Sequence, residues 1–123
     1  MNGSSSPSSL PTDGLNIPLR ASFSGMKRRP ILALGHNSIN PLLRLFEDHI
    51  ESRVFLKSKK SYAEIEHIDT YQTLGTNNII IVWKTGWFAF VGNVKNKDYL
   101  PELVRFFQNK NVPLGESAKK LVK

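Results

Sequence analysis

The sequence predicts an α+β domain that is mainly β, built of antiparallel strands and closed by one C-terminal helix. Three observations carry that expectation. Short β-branched and aromatic runs, Ile79–Trp83 and Trp87–Val91, are separated by the turn pair Thr85-Gly86. The run from His49 to Lys57 alternates, with Ile50, Ser52, Val54 and Leu56 on one side and Glu51, Arg53, Phe55 and Lys57 on the other. Beyond Gly92 the apolar spacing changes, and Leu100, Leu103, Val104 and Phe107 fall at i, i+3, i+4 and i+7.

Residues 1–28 are expected to be a disordered Ser/Pro-rich tail. They include Ser4-Ser5-Ser6-Pro7-Ser8-Ser9, and the composition offers little apolar surface to offset the entropy of ordering. Met26-Lys27-Arg28-Arg29 resembles a start of the folded part, and the Ser- and Arg-containing stretch before it admits a transit-peptide reading. The domain itself is expected over 29–112. Ile31-Leu32-Ala33-Leu34 is a short apolar run of unassigned type, an edge strand or a packed arm. Leu42–Phe46 and the alternating run from His49 form a hairpin about Glu47-Asp48, and Ser58-Lys59-Lys60-Ser61 is a polar turn.

From Tyr62 to Tyr71 apolar residues recur at steps of three, which a helical turn or bulge leading into a strand produces. Gly75 and Asn77-Asn78 mark the next reversal, and Ile79–Trp83 is a central strand. The helix has Asp98 as N-cap, tolerates Pro101 in its first turn and ends before Asn109–Asn111 and Pro113. Residues 113–123 form a basic C-terminal extension that frays or adds one turn.

With 40% hydrophobic and 22% charged residues, the chain has the composition of a globular domain. It contains no cysteine, which removes disulfides and thiolate chemistry and points to a reducing, cytoplasmic setting. A spanning helix needs roughly 20 apolar residues, and no run here approaches that. The net charge is +7, all of it beyond Met26, because Arg20 and Asp13 cancel in the first part. Such a balance admits anionic partners without choosing one.

Leu43-Arg44-Leu45-Phe46-Glu47-Asp48-His49-Ile50 and Tyr62-Ala63-Glu64-Ile65-Glu66-His67-Ile68-Asp69 resemble the bacterial pleckstrin-homology-like domains. In the second segment the aromatic-x-x-Ile-x-x-Ile/Val pattern carries the similarity, completed by the Trp83/Trp87 hairpin and the Leu100–Phe107 helix. The resemblance implies two near-orthogonal antiparallel sheets in a partly open barrel, plugged at one end by the helix. Five or six strands are legible against seven in that fold.

The candidate ligand-binding residues are Lys57, Lys59 and Lys60, read as three ammonium groups on one basic turn, with Arg53, Trp83 and Trp87. Trp83 and Trp87 are expected to face one another across their hairpin. The loop that holds phosphoinositides in eukaryotic relatives is here the acidic Glu47-Asp48, so no lipid-binding residue carries over. His36, His49 and His67 have no metal-pair spacing, and Gly-rich phosphate loops, Gly-x-Ser-x-Gly elbows and His-Glu-x-x-His runs do not occur. The expectation is therefore a binding or scaffolding module for a protein or peptide, without catalytic activity, cofactor or metal. The alternative is a membrane-peripheral module attracted to anionic lipid head groups through basic loops; nucleic acid is not an expected partner, since Lys27-Arg28-Arg29 lacks interleaved aromatics.

Overall fold

Alternation of apolar side chains begins well before Met26: Leu15, Ile17, Leu19, Ala21 and Phe23 occupy every second position. In the computed structural model, which describes residues 10–28 and 33–122, this segment is β1 (Leu15–Asn16) and β2 (Leu19–Met26). The expected tail is thus corrected over its second half, while residues 1–9 lie outside the described residues. Leu19, Ala21 and Ser22 are buried, and a chain opening at Met26 would lack all of β2 but its last residue. Ser22 lies inside because its hydroxyl donates to the Arg53 carbonyl at 2.6 Å, which removes the penalty of burying it.

The remaining elements are β3 (Ala33–Asn37), β4 (Leu42–Leu45), β5 (Ile50–Arg53), β6 (Lys57–Lys60), β7 (Ile65–Thr73), β8 (Thr76–Trp83), β9 (Phe88–Val94), α1 (Tyr99–Asn109) and α2 (Glu116–Leu121). Two antiparallel sheets result, ordered β1-β4-β5-β6 and β3-β2-β9-β8-β7. The segment from Leu15 to Met26 pairs with the segment from Ala33 to Leu45 in both: Leu15 faces Leu45 in the first sheet, and Phe23 faces His36 in the second. One bent hairpin therefore belongs to both sheets, with the bend of its first arm at Ile17-Pro18, where the fixed φ of proline and its missing N–H interrupt the ladder. Ile31 and Leu32 lie outside the described residues, and the rest of that run opens β3.

The helix expected from the 3.6-residue period is α1, and Leu100, Leu103, Val104 and Phe107 are all buried. They pack with Leu43, Leu45, Ile50, Ile65, Ile68, Ile79 and Ile81 into the main core. Asn111, at φ 64°, turns the chain out of the helix, and Val112 N–H donates to Phe107 O at 3.0 Å. The step of three after Tyr62 is a 3₁₀ turn (Tyr62–Glu64) running into β7, whose register shifts between Ile65 and His67. Glu64 returns to accept the Ser61 backbone N–H at 2.8 Å, fixing that turn.

Two local expectations change. Lys57–Lys60 is strand β6 rather than a turn, and the reversal falls one step earlier, at Val54-Phe55-Leu56. Asn77 and Asn78 lie within β8, the tight turn being Leu74-Gly75 with Gly75 at φ 86°. The C-terminal segment is an added element: Ile68 N–H donates to Pro113 O at 3.0 Å, Gly115 N–H donates to Ile68 O at 2.7 Å, and α2 packs beside β7.

Candidate functional site

Between the β5–β6 reversal and the β8–β9 loop the two sheets part, leaving a cleft of about 300 Å³. Its walls are the aromatic and aliphatic side chains of Val54, Phe55, Leu56, Trp83, Phe88 and Phe90, set with three serines, Ser24, Ser52 and Ser58. Each wall follows from strand period. Ser24 of β2 and Phe90 of β9 are opposite one another in register, and Ser52 of β5 is opposite Ser58 of β6, so each pair projects from one face of its sheet. Among the described residues no ionisable side chain lines this space.

The rim is apolar and exposed. Leu56 is 85% exposed, and Phe55, Phe88 and Met26 are also open to solvent. Met26 is the register partner of Phe88, so β2 and β9 present these two side chains together, and Lys27 N–H donates to Trp87 O at 2.8 Å beyond them. The Phe55 ring lies over Gly35 of β3, where an added Cβ would fall 2.4 Å from the ring carbons. Glycine at this position is what lets the ring close that side of the cleft.

Lys57, Lys59 and Lys60 do not gather at one point. Lys57 and Lys59 project from one face of β6, and Lys60 shares the other with Ser58. Lys57 Nζ stands 3.9 Å from Glu51, which also faces Arg44 at 3.8 Å. Lys60 Nζ sits 5.6 Å from the centre of the Trp83 ring, within cation–π range, at the border of the cleft. Arg53 is the register partner of Lys57 and donates to Asn40 O at 3.4 Å, away from the cleft lining. Trp83 is 9% exposed in β8, whereas Trp87 is in the loop, so the expected cross-strand tryptophan pair does not form. Gly86, at φ 91°, belongs to a connection from Lys84 to Trp87, longer than the two residues expected.

Sequence reasoning missed Met26, Phe55, Leu56, Phe88 and the three serines. The legible sign was Val54-Phe55-Leu56, three consecutive apolar residues at a reversal, where polar residues are usual.

Several carboxylates elsewhere have local partners. Lys27 donates to Glu66 and holds its carboxyl below the usual range, with His67 adding to the effect. The Ser61 backbone lowers Glu64, and the hydrogen bond from His49 lowers Asp48. The histidines each have local company: His49 stacks on Phe46 with ring centres 4.1 Å apart, His36 lies 5.1 Å from Phe23, and His67 Nδ1 is 3.1 Å from Glu66. Among the described residues no group of three or more His, Asp or Glu is placed to hold a metal ion, and no helix is long and apolar enough to cross a membrane.

No protein-family model matches the chain, and no curated protein matches it.

Proposed function

We propose that the protein is a non-catalytic binding module of pleckstrin-homology-like architecture that holds a partner protein or peptide by seating an apolar side chain in the cleft. The observation that carries this reading is the shallow cleft between the sheets, without ionisable lining among the described residues and bordered by exposed Phe55, Leu56 and Phe88. Exposed aromatics around a recess supply the buried contact area that dominates interface energetics. Strand order supports the architecture. With the bent arms β1–β2 and β3–β4 each counted as one strand, the described residues form seven, and α1 covers the main core.

The earlier alternative, attachment to anionic lipid through basic loops, draws less support. The three lysines lie on a strand with two facing one way and one the other, and none enters the cleft. The groove beside the helix is also a weaker site for a partner, because Leu114 and α2 already occupy β7.

Titration of ¹⁵N-labelled protein with N-acetyl-phenylalaninamide tests the reading. Saturable shifts are expected at Ser24, Ser58, Phe88 and Phe90, and Phe88→Asp is expected to weaken them at least tenfold. Shifts scattered over the surface, or none at these amides, would remove the cleft from consideration.

A further inference from the structure

The first sheet ends in β6 and the second in β7, and these two edges differ. The β7 edge is engaged by its own chain, through the bonds of Ile68 to Pro113 and Gly115. β6 pairs with β5, and among the described residues its backbone makes no other hydrogen bond. Four residues of strand, about 13 Å at 3.3 Å each, therefore present donors and acceptors along one side of the cleft.

The side chains on that edge select what can pair with it. Lys57 and Lys59 point one way, and within reach Lys57 has Glu51, itself shared with Arg44. A second copy of β6 would place lysine against lysine, which disfavours homotypic pairing. Aspartate or glutamate opposite the same positions is favoured. On the other face Ser58 opens into the cleft, so the cross-strand neighbour of Ser58 points there too. Ser52, 6% exposed, also lines the cleft, and its hydroxyl has no hydrogen-bond partner among the described residues.

We propose that the free edge of β6 takes an extended acidic segment of a partner protein as an added strand, its acidic side chains against Lys57 and Lys59 and its alternate apolar side chain in the cleft. The inference rests on the cleft reading above and adds to it the partner's chemistry, conformation and direction of approach. The recognition combines main-chain pairing, which gives affinity, with alternate side chains that give specificity.

Fluorescence anisotropy on the full chain tests it with fluorescein-labelled octapeptides of three designs. One alternates glutamate with leucine, the second has lysine for glutamate, and the third is the first N-methylated on alternate amides, prepared in both phases. The acidic peptide is expected to bind at least tenfold more tightly than the basic one. N-methylation is expected to abolish binding in one phase and spare it in the other. The exposed double substitution Lys57→Glu with Lys59→Glu, its fold verified by circular dichroism, is expected to reverse the charge preference. Equal binding of acidic and basic peptides overturns the inference and leaves the cleft reading standing, provided both register at Ser58 and Phe88. Binding of neither peptide overturns both. Retention on phosphatidylserine vesicles without binding of the acidic peptide overturns it in favour of a membrane surface.

Discussion

Tyr62 shows how a single residue ties the helix to the first sheet. Its ring meets Phe106 and Phe107 edge-on, at 5.7 and 6.2 Å between centres, and its hydroxyl donates to the Phe46 carbonyl at 2.5 Å. Lys110 closes the same corner, 5.3 Å from the Tyr62 ring centre and 2.9 Å from the Glu47 carboxylate. Burial disfavours the phenolate and raises the Tyr62 pKa above its ordinary value of 10, with the Glu47 and Asp48 charges adding to the rise. The unfolded chain therefore ionises first. This contribution is fully present below pH 10 and declines above it, by up to about 1.4 kcal/mol per pH unit, until the folded hydroxyl ionises too. Tyr62→Phe is expected to cost about 1 to 3 kcal/mol at neutral pH, because the Phe46 carbonyl loses its donor. Urea titrations from pH 8 to 12 check both: the gap between wild type and variant narrows above pH 10, and a constant gap would contradict the assignment.

Among the elements, α2 depends most on a single remote group. The helix is six residues long, too short to persist alone, and Asp69 of β7 supplies its cap. Asp69 Oδ1 accepts the Ala118 N–H at 3.0 Å, and Gly115 passes so close that a Cβ there would lie 2.4 Å from the carboxylate. Asp69→Ala is expected to release the segment from Gly115 to Leu121 at a cost of about 1 to 2 kcal/mol. Hydrogen exchange checks this: Ala118 and Lys119 amides should accelerate while those of β8 stay protected, and unchanged exchange would show that packing alone holds α2.

The elements also explain which parts of the fold were legible. α1 and β8 announce themselves because their buried faces are large and apolar, Leu100 to Phe107 in one and Ile79 to Trp83 in the other. β2 escapes notice because its alternation is weak: Leu19 is its one large buried apolar residue, Ala21, Ser22 and Gly25 are small or polar, and a proline and a serine-rich stretch precede it. Its Ser22 is satisfied by Arg53 O, a partner 31 residues away that no local pattern reveals. β6 reads as a turn because Lys-Ser-Lys-Lys has turn composition, and main-chain pairing to β5 rather than burial makes it a strand.

At the scale of the molecule, the cleft arises from topology. The bent hairpin of β1–β2 with β3–β4 joins the sheets along one side, and β5–β6 and β8–β9 are left free to part on the other. Its walls come from positions as distant as Ser24 and Phe90, so sequence spacing could find Trp83 but not the recess it borders. The site proposed from lysines is consequently redistributed: Trp83 stays as a wall with Lys60 beside it, Lys57 and Lys59 line the edge with Arg53 on the same face away from the cleft, and Trp87 lies exposed in the β8–β9 loop.

The absence of cysteine allows a direct measurement on this recess. Ser58→Cys places one thiol on the cleft wall of β6, where its alkylation by iodoacetamide reports access. The thiol is predicted to react readily in the free protein and at least tenfold more slowly with saturating N-acetyl-phenylalaninamide. An alkylation rate unchanged by the aromatic amide would contradict the claim that this cleft receives an apolar side chain.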